Sequence, residues 1–241
     1  MKGWSEDKSG RQPPAGMRTK MPGVKVRHSV RRTQPLPAGG HILGSSFEKA
    51  LVYATRLHAR QTKKGNGQPY IGHLLGVTAL VIAHGGNEEE AIAAVLHDAV
   101  EDQGGLPTLR AIRRKFGPRI ANIVESCSDS VTTPKPPWKD RKTKYIAHIR
   151  HAPPSVRLVT AADKLDNVRM IITDLRQEGD RVWARFTGGK DGSLWYYRAM
   201  FETLKEAGAT PLVEELGRAV TEMERLAARR SPEPERGSPR V

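Results

Sequence analysis

An all-α fold is predicted by three features of the chain. Apolar residues recur at three- and four-residue intervals in one segment after another. Glycines and prolines punctuate those segments at short spacing. No stretch alternates apolar and polar residues over a strand's length, and there is no internal repeat. The periodicity is confined to about residues 43–228, enough chain for one domain with a sizeable core.

The elements follow in order. Ser45 and Glu48 stand at capping-box spacing, and Phe47, Ala50, Leu51, Ala54 and Leu57 predict a first helix to about Gln61. Lys63-Lys64-Gly65-Asn66-Gly67-Gln68-Pro69 reads as a turn-rich loop that holds two lysines in the open. Tyr70-Ile71-Gly72-His73 leads into a second helix, Leu74 to Ala83, stopped by Gly85-Gly86. Asn87 can cap a third helix, whose first turn carries Glu88, Glu89 and Glu90 where the helix dipole favours acids. This helix is expected to hold His97 through Asp102 at its end. Past Gly104-Gly105 and Pro107, Thr108 starts a short basic helix closed by Gly117, and Ile120–Ser126 forms another. Three prolines make 132–138 a loop before a helix Lys139–His151. Pro154 suits the first turn of a long helix striped by Val156, Val159, Ala162, Leu165, Val168, Ile171 and Leu175. Residues 179–192 read as irregular, and Ser193–Ala207 and Pro211–Arg229 as two closing helices.

The charge is unevenly spread. Of a net +14, residues 1–40 contribute +7, from nine Lys/Arg against two acids, and residues 229–241 contribute +2. The Gly-, Pro- and Arg-rich segment 1–42 is expected to be a disordered arm, and 229–241 a disordered tail. Such an arm could touch nucleic acid, but it lacks interleaved aromatics or a binding motif, so simple solvation is the favoured expectation. Met17 and Met21 leave open a later start. No apolar run reaches a membrane span and no secretory signal is visible, so no membrane association is expected. The single Cys127 excludes an internal disulfide and fits a reducing compartment, with cytoplasm the expected location.

The chemistry gathers at Leu96-His97-Asp98-Ala99-Val100-Glu101-Asp102. On a continuous helix the pairs His97/Glu101 and Asp98/Asp102 are four apart, so all four heads would leave from one side. Three crowded carboxylates repel unless something positive offsets them, and an imidazole beside a carboxylate suits a divalent metal. His73 and Asp163, each on another helix, would complete a bundle-core site with His97 and Asp98. Manganese or iron fits two imidazoles and two carboxylates, zinc is possible, and a cysteine-based zinc set is excluded by the lone cysteine. Plain alternatives exist: His73 as a helix-start residue, and Asp163 paired with its neighbour Lys164. Yet a carboxylate buried in that apolar helix needs a partner, because leaving it unpaired costs several kcal/mol.

His73, His97-Asp98 and Asp163 together resemble the H…HD…D pattern of the HD metal-dependent phosphohydrolases. Within that superfamily, three segments resemble the RelA/SpoT-type (p)ppGpp hydrolases, above all the single-domain small alarmone hydrolases. They are the run from Lys63-Lys64 to His73, the run Leu96–Asp102, and Ala162-Asp163-Lys164-Leu165-Asp166-Asn167, within about residues 45–207. The resemblance implies an HD helical bundle that uses one Mn²⁺ ion. The implied reaction removes the 3′-pyrophosphate of (p)ppGpp, giving GDP or GTP plus pyrophosphate and so degrading the stringent-response alarmone. Within these 241 residues no room is expected for the synthetase domain of the long bifunctional members, so a synthetase role is not expected. His73, His97, Asp98 and Asp163 would be the ligands, and Glu101 and Asp102 would orient and deprotonate the attacking water. Lys63 and Lys64 would neutralise the pyrophosphate, Asn167 would contact ribose or phosphate, Tyr196 would lie near the nucleotide, and Lys139 could meet the 5′-phosphates. Two departures stand out: Lys63 where relatives often carry Arg, and Asp166 where His or Tyr is common, an added acid that could alter base or phosphate preference. Another nucleotide remains open as substrate: an adenosine alarmone, NADPH or a nucleotide phosphate.

Overall fold

The computed structural model describes residues 43–63, 67–130 and 134–228. The arm 1–42, the tail 229–241 and Lys64 lie outside the described residues. Among the described residues there is no strand, only an isolated antiparallel bridge between Thr62 and Pro69 that closes the lysine loop at its base. The compact unit containing them is built of α1 (Ser45–Leu57), α2 (Ile71–Ala83), α3 (Glu88–Leu96), α4 (Ala99–Asp102), α5 (Gly105–Phe116), α6 (Pro118–Cys127), α7 (Trp138–Arg150), α8 (Pro154–Glu178), a 3-10 segment Gly179–Arg185, α9 (Gly189–Ala207) and α10 (Pro211–Ala228). No helix in it is long and apolar enough to cross a membrane.

α8 is the axis of the bundle. It touches α2, α3, α6, α9 and α10, and the run Thr160–Leu165 is buried at every position. A stretch of helix enclosed on all sides must bury whatever polar residues it carries, which is how Asp163 and Lys164, within that run, come to sit in the interior. The predicted stripe from Val156 to Leu175 is buried throughout. α10 closes one side with Leu212, Leu216, Val220 and Met223 at helical spacing.

Several local expectations are corrected. α1 begins at Ser45, but its N-cap is Gly44 and no side chain of its own caps it. Glu88, from the first turn of α3, instead accepts hydrogen bonds from the Gly44 and Phe47 amides at 2.8 and 3.2 Å. A tertiary carboxylate thus replaces the expected Ser45–Glu48 box. Asn87 does cap α3, with Glu90 as the reciprocal partner. α2 starts at Ile71, which puts His73 inside the first turn. Residues 179–192 are mostly regular: they form the 3-10 segment and the start of α9, joined by a short turn at 186–188.

The expected continuous helix through Asp102 is broken at His97–Asp98. His97 Nδ1 donates to the Ala94 carbonyl at 2.8 Å, the same oxygen its own backbone N–H reaches at 3.4 Å. A side chain competing for the carbonyl three residues back tightens the turn and ends the α-helical ladder. The chain restarts as the single turn α4.

Candidate metal centre and active site

The break at His97 swings its imidazole away from α4 and toward α2 and α8. Both imidazoles are buried, His97 at 1% and His73 at 2% exposure, and each uses Nδ1 to fix its ring. His97 donates to the Ala94 carbonyl, and His73 Nδ1 lies 2.6 Å from Asp166 Oδ2 on α8. With Nδ1 donating, each Nε2 keeps its lone pair, and both Nε2 atoms are buried without a hydrogen-bond partner among the described residues. They point at one place. Asp163 Oδ1 lies 3.4 Å from His73 Nε2 and 3.7 Å from His97 Nε2, and the donor atoms of these three residues all lie within 4.8 Å of one another. Asp98 Oδ2 stands 3.0 Å from His97 Nε2 and 3.6 Å from His73 Nε2.

These separations suit ligands of one small cation. Donors about 2.1 Å from a common ion and at 90–110° to each other lie roughly 3.0–3.5 Å apart. Orphaned imidazole nitrogens facing the buried Asp163 and the half-buried Asp98, with Nδ1 held from behind, are the donor set and the outer support a first-row divalent ion requires. His73, His97 and Asp163, with Asp98 beside them, thus form a cluster able to hold a divalent metal ion.

Charge tells the same story. Burial pushes the Asp98 and Asp163 carboxyls up, but the imidazoles, and Lys164 beside Asp163, hold both well below the usual carboxylate range. Burial pulls the His97 imidazole down, yet Asp98 and Asp163 outweigh it and raise it to about 10. The pocket is built to hold positive charge, whether protons or a metal ion.

Two of the outer contributors, Tyr70 and Gly76, had no role assigned from the sequence. Tyr70 donates its hydroxyl to Asp98 Oδ2 at 2.5 Å. Gly76, one turn past His73, leaves room for Asp166: a Cβ there would sit 2.4 Å from Asp166 Oδ1. Asp166 accordingly serves His73, where the sequence suggested contact with the nucleotide. Lys164 Nζ lies 2.5 Å from Asp163 Oδ2, so the plain pairing occurs through one carboxylate oxygen while the other faces the imidazoles. Asn167 donates to that second oxygen; it lines the cavity as expected, with its amide already engaged.

A cavity of about 540 Å³ opens beside the cluster, with His73, Glu101 and Asp102 on its wall. Glu101 Oε1 accepts from Lys135 Nζ at 2.9 Å, and Asp102 Oδ2 accepts from Gln61 Nε2 at 2.7 Å. Burial, then the Asp129 charge, raises the Glu101 carboxyl, with Lys135 pulling it back. Burial, then the Asp98 charge, raises Asp102. Tyr196 lines the same cavity, and its buried hydroxyl has no hydrogen-bond partner among the described residues.

Lys63 lies on the wall with Nζ against Met170 Sδ. Lys139 is not brought to the cavity: its ammonium sits 2.8 Å from the centre of the Trp195 ring. The basic residues that join Lys63 are Lys135, Arg141, Lys142 and Arg185. Arg141 and Lys142 both bind Asp129, Lys142 at 2.7 Å. They come from separate parts of the chain, the lysine loop, the segment before α7, α7 itself and the end of the 3-10 segment, so no local spacing signals the group.

Comparison with known proteins agrees with this geometry. The HD domain family profile matches residues 50–194. The Xenopus tropicalis guanosine-3′,5′-bis(diphosphate) 3′-pyrophosphohydrolase MESH1 is 38% identical over 139 residues, covering 56% of this chain and 73% of that protein. The Homo sapiens protein of the same name is 36% identical over 124 residues, 50% of this chain and 66% of its own. A solved structure described as a metazoan ortholog of SpoT that hydrolyzes ppGpp superposes with a TM-score of 0.64 at 24% identity, over 76% of this chain and 98% of that one, a likeness of fold. With the profile spanning more than half of its length, the chain belongs to the HD domain family.

Proposed function

We propose that this protein is a (p)ppGpp 3′-pyrophosphohydrolase, releasing pyrophosphate and leaving GDP or GTP. The observation that carries the reading is the convergence of His73, His97, Asp98 and Asp163 beside a cavity edged by five cationic side chains. Its similarity to proteins named for that reaction supports it.

The four converging residues would hold the ion, which we propose to be Mn²⁺. Bound there, a divalent ion supplies Lewis acidity to a phosphate oxygen and lowers the pKa of water. Glu101, with Asp102 behind it, takes the proton from the attacking water. A carboxyl raised by burial is a stronger base once ionised, and its wall position leaves it open to the solvent it must deprotonate. The water oxygen bonds to the phosphorus attached at the 3′ position, the bond from that phosphorus to the ribose oxygen breaks, and that oxygen takes up a proton from solvent to leave a 3′-hydroxyl and free pyrophosphate. Lys63, Lys135, Arg141 and Lys142 offset the charge of two diphosphate groups. Tyr196 offers its unpaired hydroxyl to the bound nucleotide. We include Lys64 as an expected contact from the lysine loop. A cytoplasmic location is part of the same proposal, in keeping with the buried free thiol of Cys127.

The test is direct. Protein loaded with Mn²⁺ should release pyrophosphate from ppGpp and stop when the metal is chelated; a metal-loaded protein inert toward ppGpp and pppGpp would overturn the assignment.

A further inference from the structure

α8 runs along the cavity from the metal cluster to its far end. Asn167, Met170, Ile171 and Asp174 all face the opening, at helical spacing from Asp163. Asp174 is eleven residues past Asp163, about 16 Å along the axis. That length accommodates a phosphate at the histidines, a ribose and a base laid end to end. Laid out so, the base would lie at the far end, which Lys63 also reaches: its ammonium rests against Met170 and feels the Asp174 charge.

Asp174 Oδ2 accepts from Arg185 Nη1 at 2.9 Å, and Arg185 is itself held by Glu178 through Nη2. The carboxylate is thus fixed in place from one side. Oδ1 keeps no hydrogen bond among the described residues, and the side chain is 18% exposed, on the cavity wall. Phe186, next to Arg185, supplies apolar surface on which a flat ring can rest, beside Met170, whose sulfur meets the Lys63 ammonium. An anchored carboxylate with acceptor capacity to spare reads donors. Guanine offers two side by side, N1–H and the 2-amino group; adenine presents an acceptor at N1 and so meets a carboxylate with repulsion.

We infer that Asp174, anchored by Arg185, selects guanine as the base of the substrate. The inference rests on the 3′-pyrophosphohydrolase reading and deepens it, naming the residue that decides which alarmone is taken.

The experiment compares ppGpp with its inosine counterpart, which lacks only the 2-amino group, and with its adenosine counterpart, on the Mn²⁺-loaded full chain. The expected wild-type preference for guanosine over inosine is roughly tenfold to a hundredfold in kcat/KM, the effect of a lost hydrogen bond to a charged partner. Asp174→Ala should lower the guanosine value more than the inosine value and bring the ratio close to one. Asp174→Asn, which keeps shape and packing should the alanine variant fold poorly, carries one donor and one acceptor and should raise adenosine relative to guanosine. Equal use of the three nucleotides by the wild type, or an undiminished preference in both variants, overturns the inference and leaves the hydrolase reading standing. No turnover of any of them overturns the hydrolase reading; equilibrium dialysis of GDP against IDP then decides the base preference by itself, a wild-type preference lost in the variants supporting it and equal binding refuting it.

Discussion

His73 Nδ1 and Asp166 Oδ2 lie 2.6 Å apart, a bond between α2 and α8 that aims the free Nε2 at His97 and Asp163. Carboxylates behind a ligating imidazole set its tautomer and direction, and their removal commonly weakens metal binding about 10–100-fold. Asp166→Ala is expected to lower Mn²⁺ affinity within that range while the helical fold persists. Gly76→Ala approaches the same bond from the other side. Its Cβ would meet Asp166 Oδ1 at 2.4 Å and push the carboxylate aside, yet alanine favours a helix over glycine by about 1 kcal/mol. Calorimetric titration should show weaker metal binding in Gly76→Ala without a matching loss of thermal stability.

Glu101→Gln separates proton transfer from metal binding. Glu101 is outside the converging donors and keeps its shape as an amide. Metal content should stay at the wild-type value, while kcat falls by roughly 10²–10⁴-fold, the usual contribution of a positioned base. Unimpaired turnover in this variant would remove Glu101 from the mechanism.

The pH profile offers a test in which two substitutions move in opposite senses. Burial, then the Asp129 charge, raises the Glu101 carboxyl, and Lys135 lowers it. A base must be ionised, so kcat/KM falls as pH drops through the Glu101 pKa. Asp129→Asn removes a negative neighbour, lowers that pKa and should shift the acid limb to lower pH. Lys135→Met removes the ammonium 2.9 Å from Oε1, raises the pKa and should shift the limb to higher pH. Profiles at saturating metal check both signs; shifts in the same direction would exclude Glu101 as the titrating base.

How much of this was legible in the sequence depended on the reach of each signal. Apolar spacing along α8 and the Asn87 cap are local, and both appear as read. His73, His97, Asp98 and Asp163 could be grouped in advance because together they resemble the H…HD…D pattern, and the structure brings their side chains close together. The residues behind them could not. Tyr70 reaches Asp98, Gly76 yields to Asp166, and Glu88 caps α1 across 41 and 44 residues of chain; none of these pairs leaves a periodic trace. The break at His97 was missed for a related reason. Helix propensity favours continuing through Ala99 and Val100, and only the imidazole's bond to the Ala94 carbonyl overrides it. Lys139 was misplaced because a lysine beside a helix start looks alike in sequence whether it faces a cavity or the Trp195 ring.

The central claim is that two imidazoles and two carboxylates from α2, the α3–α4 break and α8 share one cation. Titration of metal-free protein with Mn²⁺, followed by the loss of the free-ion electron paramagnetic resonance signal, tests it most directly. The wild type should bind one ion per chain, and His97→Ala should lose affinity by more than the roughly 100-fold upper range of outer-partner changes. A wild type that binds no ion, or a His97→Ala variant that binds one as tightly, would contradict the account.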